Sequence, residues 1–293
     1  MLVVAALVLV ALALAGVAPR VMARRTGFRR SPRPALVVWQ CVSLAAVLAA
    51  LAAGPAVVPA IAGPGHGRAV VGGLALALSA GMLLRLLWSG HRVGTRLRAV
   101  RREHRELVDL LGLPDAGGAG QVTDRDGTVR VLAHPTPTAY CLPGLRRRVV
   151  LTRGALESLP PDQLVAVLAH ERAHLRSRHD LVLEFFTVLH RAVPPWLRSG
   201  AALAEVQLLV EVLADRAAVR GAGVTPVARA LVTLAQGRHP EAAMAAGGGT
   251  ALARMELLAA AERPARWRSA LMYGFAAAVL AVPLALVAAA FSR

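Results

Sequence analysis

Two histidines and a glutamate stand together in the run Ala169-His170-Glu171-Arg172-Ala173-His174-Leu175. On a helix, residues four apart lie one above the other, so His170 and His174 present two imidazoles to one point. Such a pair can hold one Zn²⁺ from the same side, with Glu171 beside the first imidazole and in reach of a water at that point. Zinc lowers the pKa of water and polarises a carbonyl, the glutamate takes the proton, and the resulting hydroxide attacks. These residue types at this spacing point to metal-assisted hydrolysis.

Zinc that does chemistry takes three protein ligands and keeps one position open. A third ligand is therefore sought elsewhere. Downstream, Glu205 to Ala218 reads EVQLLVEVLADRAA, which has helical period, with Glu211 and Asp215 four apart on one face. A carboxylate set among Leu209, Val210, Val212 and Leu213 is costly to bury unless it is paired or metal-bound. Glu211 is thus the expected third ligand. Asp215 is expected to accept the spare N–H of a ligating histidine and so fix its tautomer. The alternative, Glu211 facing solvent and paired with an arginine, stays open at this point.

The HExxH box and the ExxAD run of Glu211 to Asp215 together resemble the membrane-embedded gluzincin proteases. Two groups are close: the CAAX-prenyl protease and heat-shock membrane protease type, and the beta-lactam-sensor (antirepressor) peptidases. Thr138-Ala139-Tyr140-Cys141-Leu142-Pro143-Gly144 resembles their Asn-Ala-Phe-x-x-Pro segment, with Thr138 in place of asparagine. Arg148 to Gly154 resembles their edge strand and following turn, and Leu175 to Asp180 the basic residue and aspartate of the sensor group. The resemblance covers Thr138 to Ala218; the rest agrees only in layout. It implies a small α+β zincin (gluzincin) catalytic domain with one zinc per chain at His170, His174 and Glu211, and Glu171 as general base. It also implies a protein or peptide substrate added as one more strand along an edge at Arg148 to Thr152. Tyr140, His179 and Arg216 are the candidates for stabilising an oxyanion.

The elements that must position these groups sit in an unusually apolar chain. It has 293 residues, 56% of them hydrophobic and 4% aromatic, with a mean hydropathy of +0.54. This suggests several membrane spans around one modest domain, an α-helical integral membrane protein carrying the zincin unit. All 34 basic residues are arginines, and the formal net charge is +17. The arginines cluster beside apolar runs without interleaved aromatic platforms, so anionic lipid head groups are the expected partner and no nucleic acid is expected. Cys41 and Cys141 supply neither a disulfide framework nor a cysteine metal site.

In chain order, Leu2 to Ala18 is a first span rather than a cleaved leader, because no basic segment precedes it. Arg20 to Pro34 is short and basic. Ala35 to Ala53 and Ala69 to Trp88 are the second and third spans, joined by a turn through Gly63 to Arg68. His91 to Leu111 reads as a surface helix and Gly112 to Gly120 as a loop. Gln121 to Leu132 reads as a hairpin turning at Asp126-Gly127. Pro160-Pro161-Asp162 opens the metal helix. His134 is taken as a surface loop residue and His190 as a core histidine of the short apolar helix Leu181 to Val193. Ala270 to Ala290 is the fourth span. The expected division is 1–90 for three spans, 91–268 for the metalloprotease domain and 269–293 for the last span. Arginines at 20–33, 85–102 and 263–268 place that domain on the cytoplasmic side.

The leading reading is a zinc endopeptidase of the bacterial membrane. One alternative is a regulatory protease of the sensor-antirepressor type that cleaves a transcriptional repressor. No sensor domain is expected beyond the fourth span, so it would sense through its spans or a partner. Another is a non-catalytic membrane scaffold, against which stands the presence of all four key residues.

Overall fold

The structure, a computed structural model, describes residues 2–58, 66–114, 128–236, 248–260 and 266–292. Among the described residues four helices are long and apolar enough to cross a membrane: Leu2–Arg24, Pro32–Ala52, Ala69–Leu111 and Arg266–Phe291. This is the architecture of a multi-pass membrane protein that carries a small sheet-bearing domain. The chain forms two compact units. One comprises Met1–Gly94, Glu184–Gln207 and Arg263–Arg293, and the other Thr95–Leu183 and Leu208–Glu262. The membrane unit thus includes a segment, Glu184–Gln207, inserted between the two parts of the other.

In the membrane unit, the first span does not stop at Pro19 as expected. A proline removes one amide and crowds the carbonyl four residues back. Here the helix widens into a π-turn over Ala13–Val17 and continues to Arg24. The Gly16 carbonyl in that turn accepts from Arg20 Nη1 at 2.7 Å. Leu7 packs against Ala49, Ala53 and Ala56, so small residues let these helices approach closely. Ser79 Oγ donates to the Ala50 carbonyl at 3.1 Å and accepts from Gly54 N at 2.9 Å. The third span and the expected surface helix are one helix, His66–Leu111, of 46 residues. At 1.5 Å per residue it is about 69 Å long, more than twice a ~30 Å hydrocarbon core.

The second unit is built on a four-stranded sheet in the order β1-β2-β4-β3, from Leu113–Pro114, Val129–Leu132, Ala139–Leu142 and Arg148–Thr152 for β1 to β4. β2 and β4 run parallel, and the two outer pairings are antiparallel. Val149 and Leu151 join Val129 and pack on Leu164, Val167 and Leu168 of the helix Pro161–Arg176. Val150 points the other way, to Val108 and Leu142. Both faces of β4 are covered, which is why its residues are apolar without alternation.

That pairing corrects one expectation. Arg148–Thr152 is not the edge strand: β2 and β3 flank it, and its backbone groups are used on both sides. Among the described residues the open edge beside the metal helix is β3, Ala139–Leu142. The Gly112 to Gly120 loop also contains a strand, since Leu113–Pro114 pairs with β2. The expected hairpin arm Gln121 to Thr123 and its Asp126-Gly127 turn lie outside the described residues, as does most of the turn after the second span.

Thr152 closes the sheet. Its hydroxyl accepts from Thr138 N at 2.9 Å and Ala155 N at 3.2 Å and donates to the Thr136 carbonyl at 2.8 Å. It thereby caps the short helix Arg153–Ser158 and fastens the loop leading into β3. Gly154 lets that loop come close, donating its N–H to the His134 carbonyl at 3.0 Å. A Cβ on Gly154 would stand 1.8 Å from the Pro135 carbonyl oxygen. Gly154→Ala therefore forces backbone apart beside β3. It should cost about 3 kcal/mol, the upper part of the range for overpacking, and show as a lowered thermal midpoint of the detergent-solubilised chain. An unchanged midpoint would refute this close approach.

Candidate active site

The helix Pro161–Arg176 begins with proline in its first turn and Asp162 at its positive end, and it buries Leu164, Val167, Leu168 and Leu175. This fixes the rotation of the helix and turns His170, Glu171 and His174 toward Leu208–Ala222, the second part of the helix Gly200–Ala222. There Leu209, Val210, Val212 and Ala214 are buried, so Glu211 and Asp215 are held in apolar surroundings.

The two faces meet. His170 Nε2 and His174 Nε2 are 3.1 Å apart, and Glu211 lies 3.5 Å from each, through Oε2 and Oε1 respectively. Among the described residues this is the one group of three whose ligand atoms could hold a metal ion. Asp215, fully buried, reaches His170 Nδ1 at 2.9 Å. An ionised carboxylate can only accept, so Nδ1 donates to it and Nε2 is the nitrogen that faces the centre. His174 Nδ1 meets His179 Nδ1 at 3.1 Å. One of those nitrogens donates, and with His174 as donor its Nε2 is free.

His179 arrives there through a tight reversal. Ser177 ends the helix, Arg178 takes the left-handed conformation at φ 49°, and the helix His179–Ala192 starts at once. A non-glycine residue in that region costs about 1 kcal/mol. The reversal returns a buried imidazole to the metal helix one turn below His174.

Arg254 was not foreseen. It stands on the helix Gly248–Ala259, and its guanidinium grips Asp215 through Nε and Nη2 at 2.7 and 2.6 Å. Its Nη1 reaches Glu211 at 3.0 Å. The pairing of Glu211 with an arginine and its approach to both histidines thus coexist. The signal lay in the two carboxylates themselves: buried in an apolar helix, they need a fixed cation, and Arg254 is a lone arginine between Leu252 and Met255.

The electrostatics follow from these partners. Burial disfavours a charged His170, but the hydrogen bonds to Asp215 and Glu211 outweigh it and raise its pKa to about 9. Burial lowers His174 to about 4. Burial opposes charge on Glu211, yet His170 and Arg254 hold its carboxyl down at about 2. Glu171 is pushed upward, chiefly by burial, which suits a group that takes and returns a proton. Cys141 on β3 hydrogen-bonds to Glu171, and burial followed by the glutamate's charge pushes its thiol up. A protonated thiol is a poor nucleophile, so cysteine-based acyl transfer has no support here. Three carboxylates face one arginine and two histidines. With the histidines neutral the excess is two negative charges, which a divalent cation balances.

The other candidates lie apart from this cluster or beside it. The Tyr140 hydroxyl is 2.8 Å from His104 Nε2. His134 is exposed, its Nδ1 accepting from Thr136 N at 3.2 Å. Arg216 is half-buried on the helix of Glu211. His190 belongs to the membrane unit.

Comparison with known proteins agrees with the geometry. The model of peptidase family M48 matches residues 98–262. The Protease HtpX homolog of Thermoplasma acidophilum is 48% identical over 44 residues, 15% of this chain and 14% of that protein. The chain therefore aligns with only a small part of that relative. No solved structure matches. The family match takes in more than half of the 293 residues, including His170, Glu171, His174, Glu211, Asp215 and Arg254, and the chain belongs to peptidase family M48.

Proposed function

We propose that the chain is a zinc-dependent endopeptidase that hydrolyses peptide bonds of protein substrates at a membrane face. One observation carries the reading: the triangle of His170 Nε2, His174 Nε2 and Glu211, with sides of 3.1, 3.5 and 3.5 Å. Tetrahedral zinc with bonds of ~2.0–2.1 Å separates its ligands by roughly 3.3–3.4 Å, so the three side chains fit zinc as they stand. When bound, the metal supplies Lewis acidity that acidifies a water and polarises a carbonyl. His170, His174 and Glu211 hold it. Asp215 fixes the tautomer of His170, and His179 that of His174. Glu171, raised by burial, takes a proton from water and returns it to the leaving amine. Arg254 keeps Glu211 and Asp215 ionised and in place.

A peptide substrate adds to the open edge at β3, Ala139–Leu142. Support comes from Cys141, whose contact with Glu171 brings this strand alongside the general base. The domain lies on the cytoplasmic side, a reading supported by the arginines at 20–33, 85–102 and 263–268. Reporters fused near Gly118 and Arg293 should read inside and outside respectively; a periplasmic signal at Gly118 would reverse the topology.

Variants separate the roles. Glu171→Gln should keep zinc while peptide hydrolysis falls by at least about a hundredfold, the usual scale for a lost general base. Glu211→Ala should lose both, and Asp215→Asn should lose about 10–100-fold in metal affinity or activity. Metal content per chain measured beside hydrolysis distinguishes them. Full zinc in Glu211→Ala would sink the ligand set, and undiminished cleavage by Glu171→Gln would sink the mechanism. Arg254→Gln leaves two buried carboxylates without their cation, so the metal-free protein should lose about 3 kcal/mol, and zinc should restore part of it. Equal losses with and without zinc would count against this account of Arg254.

The pH dependence has a definite sign. The His170 pKa is raised from 6.5 to about 9, so this ring is protonated in the metal-free protein at neutral pH. Its contribution to metal-free stability is full below 6.5 and is lost as pH rises through about 9. Zinc must expel that proton, so apparent affinity should rise about tenfold per pH unit up to about 9 and then level off. Zinc titrations against a competing chelator at several pH values measure it. A flat profile from pH 7 to 9 would show that His170 binds no proton there.

A further inference from the structure

The membrane unit contains a crevice of about 380 Å³, lined by its first three spans and by parts of Phe186 to Leu203. The walls are apolar, with Leu12, Ala46, Leu78 and Leu189 among them. Along the first helix the lining runs from Val4 to Pro19, roughly 22 Å at 1.5 Å per residue. One leaflet of hydrocarbon is ~15 Å thick, so the crevice is long enough for a single acyl chain.

Its two ends differ. At Val4, Ala53 and Ala75 the side chains are apolar apart from Ser79, whose hydroxyl is already bonded to the Ala50 carbonyl and Gly54 N. The other end, with Pro19, Trp39 and Trp196, has Arg198 in its wall and Arg20 beside it. Arg20 Nη2 reaches the carbonyls of Trp196 and Arg198 at 3.1 and 3.5 Å. Arg198 donates to the carbonyls of Val193 and Arg191 at 3.0 and 3.1 Å, and its Nη1 has no partner among the described residues. Among the described residues neither cation has a carboxylate partner. The unit as a whole holds fifteen arginines and two carboxylates, Glu184 and Glu205, and Arg29 already grips Glu205 at 2.7 Å. At the same end Trp39, only 2% exposed, keeps an indole N–H with no acceptor among the described residues. Buried donors are nearly always satisfied, so this one marks a missing oxygen.

We propose that this crevice binds one anionic phospholipid, with an acyl chain along the apolar wall and the phosphate against Arg198 and Arg20. Charge commits the site to an anionic head group, because a zwitterionic lipid would bring a cation of its own into a unit that already holds fifteen arginines against two carboxylates.

The test uses the full chain in detergent with Trp88 and Trp267 changed to Phe, so that Trp39 and Trp196 report from the crevice. Phosphatidylglycerol brominated on its acyl chains, added at a few molecules per chain, should quench their fluorescence saturably. Brominated phosphatidylcholine should need a higher concentration. Arg198→Gln should weaken the phosphatidylglycerol effect about five-fold, the scale of one basic contact, while Arg198→Lys keeps it. Ala46→Phe, which fills the wall and leaves both arginines, should abolish saturation. Equal quenching by the two lipids would overturn the assignment of head-group charge, and saturable quenching that survives Ala46→Phe would overturn the site.

Discussion

The geometry of the candidate site depends on Asp215, a carboxylate that is 1% exposed and satisfied from two directions. On one side it receives His170 Nδ1 at 2.9 Å, and on the other Arg254 closes on both its oxygens. A charge so deeply buried is tolerable only with such partners, and each partner gains direction from it. The imidazole is oriented with Nε2 toward the metal position. The guanidinium, pinned at two nitrogens, offers its third to Glu211. Three helices, Pro161–Arg176, Gly200–Ala222 and Gly248–Ala259, are thereby tied through a single side chain.

The same economy governs the strand beside the site. β4 cannot receive a substrate, because a strand covered on both faces and paired on both edges has nothing left to offer. Its burial makes it a rigid floor for the metal helix and for β3. The outer strand can then combine an open backbone edge with the contact of Cys141 to Glu171. Gly154 and Thr152 make this possible by drawing the loop before β3 against the end of β4.

Much of this was legible in the residues. Histidines and carboxylates spaced by four on two apolar helices encode their own faces, so helix periodicity alone brought His170, His174, Glu211 and Asp215 into one discussion. The apolar spans were legible because hydrophobic length is a local quantity. Pairing partners are not local. The run Arg148 to Thr152 advertises burial on both faces by its lack of alternation, and the resemblance to an edge strand outweighed that signal. Arg254 went unread for a related reason: its role exists only through two carboxylates some forty residues away. His179 depends on a left-handed Arg178, a conformation that sequence does not suggest for arginine. The π-turn before Pro19 shows the same limit, since proline reads as a stop and the helix instead absorbs it.

Charge is distributed differently in the two units. Carboxylates are concentrated where they are matched: Asp109 between Arg130 and Arg148, Asp180 between Arg101 and Arg178, and the site acids around Arg254. The membrane unit is nearly devoid of them. With fifteen arginines against two carboxylates, that unit carries a net positive charge that an anionic lipid surface can balance. The two sets of charges thus have separate tasks: around Arg254 they hold the candidate metal site in register, and in the membrane unit the excess of arginine suits anionic lipid.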